Sequence, residues 1–222
     1  MEVYMSKHKY YAVRKGRKPG IYTTWDECSK QTIGFPGAEF ASFTSEEDAQ
    51  KFMNQESIQL EETDLSKIKV YAFVDGSFNA KTNVYGYGGF LINDKEKIKL
   101  QGSGNDSDMA AMRNIAGEIK GSEAAIRKAI ELKLPEITIF YDYMGIEMWA
   151  NGMWQRNKEG TKAYYDYIQS IKDKIKIHFV KVKGHTGVEG NEEADKLAKE
   201  AVGIGQDDQE EKIQVQIKVI EN

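Results

Sequence analysis

Residues 69–104 hold three strand-like runs in succession, KVYAFVDGSF, YGYGGFLI and EKIKLQGSG, and this order constrains the fold more than any other feature. Tyr71, Phe73 and Val74 favour a pleated, buried environment. A helix follows, NIAGEIKGSEAAIRKAIEL, with Ile115, Ile119, Ile126 and Ile130 along one stripe. EITIFYDY then reads as a strand, GIEMWANGMW as a short helix, TKAYYDYIQSIKDK as a longer helix and IKIHFVKVKG as a strand. NEEADKLAKEAV closes the series as a helix with Asn191 as its N-cap. Three strands and a helix, then alternating strands and helices, predict an α/β domain with a mixed five-stranded sheet flanked by helices.

A smaller unit precedes it. KYYAVRKG and IYTTW read as strands joined by the turn RKPG, TWDECSKQ as a short helix opened by a capping Thr, and AEFASF as a third strand. Thr44 and Glu47 have capping-box spacing at the head of a helix over TSEEDAQKFM. The expectation is a three-stranded α+β unit of about 50 residues, near the lower size limit for independent folding.

Charge marks the boundaries. Residues 7–30 carry seven Lys or Arg against two acids, whereas residues 55–66 carry four acids and no base. These shifts divide the chain into a small domain at 1–54, an acidic linker at 55–66, a larger domain at 67–202 and an acidic spacer with a possible extra strand at 203–222. In that last segment Ile213, Val215, Ile217 and Val219 alternate with polar residues. The pattern fits either an added edge strand or tail, or a pairing element for a partner. The net charge of −4 is too mild for a chain that is a polycation overall. Cys28 is the single cysteine, which excludes an internal disulfide and a cysteine-based zinc site. With no long apolar run and no apolar core to its first residues, the chain reads as soluble, cytoplasmic and independent of membranes.

Asp75 interrupts an apolar strand, and an ionised carboxylate there costs several kcal/mol unless it is compensated. Asp142 ends a second apolar strand, and acids beyond the carboxyl ends of parallel strands converge. Glu118 lies about 60° from the isoleucine stripe, which predicts a position at the edge of the buried face. Asp195 sits beside the stripe Ala194, Leu197, Ala198 and Ala201. Taken singly, these residues also fit turn-capping or salt-bridged carboxylates. Gathered at one sheet edge, four acids would repel unless divalent cations neutralised them, and an all-oxygen site favours Mg²⁺ or Mn²⁺ over zinc. His185, between glycines in VKGHTGVEGNEEAD, fits an ordinary loop histidine equally well. Trp149 and Trp154 read as core or rim aromatics.

The motifs VDGS, AGEIKG, YDYMGIEMWA and GHTGVEGNEEADKLA, in this order over residues 68–202, resemble type 1 ribonuclease H. Residues 8–53 resemble the hybrid-binding domain that precedes the catalytic domain in many members of that family. The resemblance implies a ribonuclease H-like fold and an endonuclease that cuts the RNA strand of RNA/DNA hybrids. It implies two Mg²⁺ ions, with Mn²⁺ as a substitute, and products with 5′-phosphate and 3′-hydroxyl ends. Asp75 would bridge both ions, Asp142 would ligate one beside it, and Glu118 would hold a metal and sense the 2′-hydroxyl. Asp195 would complete the shell, and His185 would shuttle a proton or aid product release. Backbone around Gly76 and Ser77 would read ribose hydroxyls, and Asn114 would grip a DNA-strand phosphate. Arg113 stands where relatives often have Thr. In the first domain Tyr11, Trp25 and Phe40 would stack on DNA sugars, while Arg14, Lys15, Arg17 and Lys18 would supply phosphate electrostatics. Ala41–Ser42 replaces a Lys–Lys pair found in some relatives, which predicts weak hybrid binding with a shallow salt dependence. GMWQRNKEGTKAYY lacks the long basic protrusion of other relatives, which assigns substrate grip to the first domain.

Two other classes remain open at this level. One is a binding protein for hybrids or double-stranded RNA with a silent centre, against which the presence of all four acids argues. The other is a resolvase or a 3′–5′ exonuclease on the same scaffold. The exonuclease is disfavoured because Gly76–Ser77 follows Asp75 where an Asp-x-Glu pair is usual.

Overall fold

A computed structural model describes residues 9–54, 67–182 and 189–205. The chain divides into two compact units.

The first unit runs β1 (Tyr10–Lys15), β2 (Gly20–Tyr22), α1 (Trp25–Thr32), β3 (Glu39–Phe43) and α2 (Glu46–Asn54). Its antiparallel sheet has the order β2-β1-β3. Alternation along β1 and β3 turns Ala12, Ala41 and Phe43 inward, and α2 adds Ala49 and Phe52. Phe43 and Phe52 meet at 5.5 Å between ring centroids. Thr24 caps α1 by accepting from the Glu27 amide at 3.3 Å and donating to the Glu27 carboxylate at 2.9 Å. The cap of α2 lies one residue beyond the expected Thr44 and Glu47. Ser45 accepts from the Asp48 amide at 3.1 Å and donates to the Asp48 carboxylate at 2.8 Å. The bonds are reciprocal as in the expected box, but with Asp48 in the place of Glu or Gln.

The second unit contains β4 (Tyr71–Asn79), β5 (Val84–Ile92), β6 (Lys97–Gly104), α3 (Ser107–Ala110), α4 (Asn114–Glu131), β7 (Glu136–Tyr141), α5 (Gly145–Ala150), α6 (Glu159–Ile171), β8 (Lys176–Lys181) and α7 (Glu189–Ala201). Its five-stranded sheet has the order β6-β5-β4-β7-β8. The first three strands are antiparallel, while β4, β7 and β8 are parallel, which gives the expected mixed sheet. α3, capped by Asp106, has no counterpart in the sequence reading. No helix among the described residues is long and apolar enough to cross a membrane.

Alternate residues of β4 face opposite sides of the sheet. Phe73 faces α7, where it stacks on Phe140 at 4.6 Å and joins Phe90, Val180, Val182 and Ala194 in one cluster. Val74 faces α4, and a Cβ built on Gly121 would lie 3.2 Å from it. Two features of these helices differ from expectation. α7 begins at Glu189, so Asn191 lies buried in its first turn and does not cap it. In α4, Ile119 and Ile126 are fully buried, but Ile115 and Ile130 are only half-buried. The closest approach to the sheet is made by Gly117, against Gly76 and Gly86, and by Gly121, against Val74. Small residues permit an approach that larger side chains forbid.

Gly117 shows how close that approach is. A Cβ there would lie 1.9 Å from the Gly86 carbonyl oxygen and 2.8 Å from the Gly76 Cα. Gly117→Ala is therefore expected to destabilise the fold by about 3 kcal/mol, since the overpacking cost exceeds the gain in helix propensity of about 1 kcal/mol. Urea unfolding measures it; an unchanged midpoint would show that the helix and sheet are free to separate.

Candidate active site

Register brings the first two acids together. β4 and β7 pair from Tyr71↔Thr138 to Phe73↔Phe140, and the same offset carried past Tyr141 sets Asp142 beside Asp75. The ladder stops at Phe73 while β4 continues to Asn79, which opens a notch on that side of β4. Glu118 enters the notch from α4. Its Cγ lies 2.8 Å from where a Gly76 Cβ would sit, so the glycine after Asp75 vacates the space that Glu118 fills. One carboxylate oxygen from each of Asp75, Glu118 and Asp142 falls within 4.8 Å of the others.

Glu118 is 3% exposed, deeper than the edge position expected from the isoleucine stripe. The misplacement follows from the glycine seam, which turns the small-residue face of α4 inward. Burial raises the Glu118 pKa well above its ordinary value, and the charges of Asp142 and Asp75 add to this. A hydrogen bond from the Tyr143 backbone opposes it. Burial, then Asp142, raises Asp75 from 3.8 to about 7, against a 2.7 Å hydrogen bond from the Gly76 amide. Oε2 of Glu118 is buried with no hydrogen-bond partner among the described residues. Three crowded acids, two resisting ionisation and one oxygen unsatisfied, fit a hard divalent cation bound through oxygen.

Asp195 lines the same cleft of about 320 Å³, together with Gly76, Asn114 and Tyr143. It stands outside the tight trio and pairs with Lys199 at 2.7 Å. The sequence reading missed Lys199, although its i,i+4 spacing from Asp195 on a helix is a legible signal. Arg113, next to Asn114, is exposed and has φ 57, with its guanidinium 6.0 Å from the Phe78 ring. Ser77 is half-buried on β4. His185 lies outside the described residues, as do the linker at 55–66 and the alternating segment at 213–219.

In the first unit Tyr11, Trp25 and Phe40 form a continuous row, with 5.9 Å between the centroids of each neighbouring pair. Trp25 is 45% exposed, so the row is a surface and not the core of the small sheet. Lys15 and Lys18 are exposed. Arg14 departs from its expected phosphate role: it is bound to Glu39 at 3.0 Å, both side chains are almost buried, and its guanidinium lies 4.7 Å over the Phe52 ring. Arg17, though exposed, donates to the carbonyls of Lys30 and Ile33 at 2.9 Å each and ties down the end of α1. Both arginines thus have internal tasks that no local sequence pattern announces.

A mixed sheet of this order, with acids gathered past the end of β7, defines a nuclease of the ribonuclease H fold. Comparison with known proteins agrees: the RNase H family model matches residues 67–203, and the model described as the ribonuclease H1 N-terminal domain matches residues 9–53. The chain belongs to the ribonuclease H family. It is 25% identical to human ribonuclease H1 over 260 residues, covering 89% of this chain and 91% of the human protein. It is 31% identical over 148 residues to ribonuclease H of Francisella tularensis subsp. novicida, covering 61% of this chain and 92% of that protein. Among solved structures, the N-terminal RNase H domain of a Mycobacterium tuberculosis protein superposes with a TM-score of 0.50 at 20% identity. That match covers 62% of this chain and 95% of the other, and supports the fold.

Proposed function

We propose that this chain is an endoribonuclease that hydrolyses the RNA strand of RNA/DNA hybrids with two divalent cations, Mg²⁺ or Mn²⁺, and leaves 5′-phosphate and 3′-hydroxyl ends. The observation that carries the reading is the convergence of Asp75, Glu118 and Asp142 within 4.8 Å, with a buried Glu118 oxygen awaiting a partner. Asp75, Glu118 and Asp142 would hold one cation, and Asp75 with Asp195 would serve the second. Such ions, when bound, supply an activated water and charge stabilisation at the leaving oxygen. The chain's own groups position and select. The Tyr143 backbone N–H fixes Glu118, and Gly76 keeps the notch open. Asn114 at the head of α4 takes a phosphate, with Arg113 beside it. Backbone at Gly76 and Ser77, with Glu118, meets the 2′-hydroxyl that separates RNA from DNA. His185 is assigned proton transfer to and from the products.

Residues 1–54 take the role of grip and residues 67–202 that of chemistry. Tyr11, Trp25 and Phe40 offer flat apolar faces to the DNA strand, with Lys15 and Lys18 exposed on the same unit. Trp25→Ala is expected to weaken hybrid binding about tenfold, since one stacking platform is lost. The thermal midpoint should move by less than about 2 °C, because an exposed side chain contributes little to the core. Fluorescence anisotropy and a melting curve measure the two; unchanged affinity would take the aromatic row out of the interface.

The whole reading is tested by incubating the full chain with a labelled hybrid, in Mg²⁺ and in EDTA, beside single-stranded RNA and duplex DNA. Mg²⁺-dependent cutting confined to the RNA strand of the hybrid is the expected result. Equal cutting of single-stranded RNA, or of the hybrid in EDTA, would overturn it.

A further inference from the structure

α5 is a short helix in which every residue from Gly145 to Ala150 is buried, and one of them is an acid, Glu147. A carboxylate at 7% exposure is costly unless it is hydrogen-bonded. The hydroxyl of Tyr141, itself fully buried at the end of β7, donates to Glu147 Oε2. The two residues are six apart in the chain, so their bond closes a turn around Asp142, Tyr143 and Met144. That turn carries the carboxylate of Asp142 and the backbone N–H of Tyr143 that donates to Glu118. At its entry the Val182 amide donates to the Tyr141 carbonyl at 2.8 Å, and at its exit the Ile146 amide donates to the Tyr143 carbonyl at 3.1 Å. The Tyr143 ring is seated against the head of α5, where a Cβ on Gly145 would lie 2.3 Å from it.

We infer that Tyr141 and Glu147 are positioning residues: their hydrogen bond holds the turn between β7 and α5 and so sets Asp142 and the Tyr143 amide in place. The inference rests on the divalent-cation reading proposed above and deepens it. Sheet pairing fixes β7 through Tyr141↔Lys181, the last pair of its ladder with β8. Past that point the hydroxyl–carboxylate bond ties the chain to α5. Such a bond is directional where apolar packing is not, so it fixes the angle of the helix as well as its distance. A rotation of α5 about the end of β7 would move one acid of the trio and the donor that steadies another. Neither Tyr141 nor Glu147 is among the residues that line the cleft, so both act through the main chain between them.

Calorimetric titration with Mn²⁺ tests this on the full chain as wild type, Tyr141→Phe, Glu147→Leu, the double variant, Glu147→Gln and Asp142→Asn. Tyr141→Phe removes one oxygen and should weaken Mn²⁺ binding about tenfold, and Glu147→Leu should do so by a similar factor. The double variant should also lose about tenfold and not about a hundredfold, because the same bond is broken in all three. Glu147→Gln keeps an acceptor oxygen and should stay within about twofold of wild type. A bond that only stabilised the fold would lower the thermal midpoint of Tyr141→Phe and leave its Mn²⁺ affinity unchanged. That result overturns the inference, as do multiplying losses in the double variant or a loss in Glu147→Gln equal to that in Glu147→Leu. Should Glu147→Leu not fold, Tyr141→Phe against Glu147→Gln decides. Failure of the nuclease reading looks different: Asp142→Asn would then bind Mn²⁺ like the wild type, and the inference would fall with it.

Discussion

Asp142→Asn is expected to slow cleavage of the RNA strand by about 10³-fold or more, while affinity for the hybrid stays within about threefold. The asparagine has the shape of the aspartate but no net charge, so the register that sets residue 142 beside Asp75 is undisturbed. What changes is the site's hold on a cation. With the charge of residue 142 removed, the trio is left with Asp75 and Glu118, both of which resist ionisation because they are buried. A rate loss of that size corresponds to about 4 kcal/mol of transition-state stabilisation, within the range for removing one electrostatic contributor. Binding should survive because grip is assigned to the aromatic row and exposed lysines of the first unit. Single-turnover cleavage and anisotropy in EDTA measure the two quantities separately. Residual cutting above a tenth of the wild-type rate would remove Asp142 from the centre.

Without metal, Asp75→Asn should stabilise the protein at neutral pH. In the folded chain the Asp75 carboxyl titrates near 7, against an ordinary value of 3.8. A raised folded pKa means that the native state binds the proton more tightly than the unfolded chain. The native state therefore loses stability as pH rises from about 4 to about 7, and the loss is complete above that. By order of magnitude the cost is about 4 kcal/mol at pH 8. Removing the charge should raise the thermal midpoint in EDTA by on the order of 10 °C at pH 8 and by almost nothing at pH 4. Other groups titrate over this range, so the informative quantity is the difference between variant and wild type at each pH. Excess Mg²⁺ should erase or reverse that difference, because the wild type alone gains the full binding energy of the ion. A difference independent of pH would show that Asp75 is ionised without cost and that the crowding of the trio is illusory.

The order and type of the main elements were legible because strand and helix periodicities are local. Asp75 and Asp142 stand out as well, since a charged residue inside an apolar strand or at its end is conspicuous against its surroundings. Depth was not legible. The isoleucine stripe puts Glu118 at the edge of its helix's buried face, whereas glycines opposite it on β4 and β5 decide which side goes in. Arg14 looked like a surface charge because its partner, Glu39, is 25 residues away and becomes a neighbour only through the β1–β3 ladder. Asn191 looked like a cap because its residue type suits one, but α7 starts earlier. These misses share a cause: a short window of sequence does not contain the partner that settles the question.

The glycines at 76, 86 and 117 put strand and helix backbones in direct contact beneath the acids. Spacing between the carboxylates is therefore inherited from main chain, which cannot change rotamer, and not from side chains, which can. Substitution should be tolerated at Lys199, whose side chain is 47% exposed, and hardly at all at these glycines, where any added side-chain atom would run into backbone or a packed side chain.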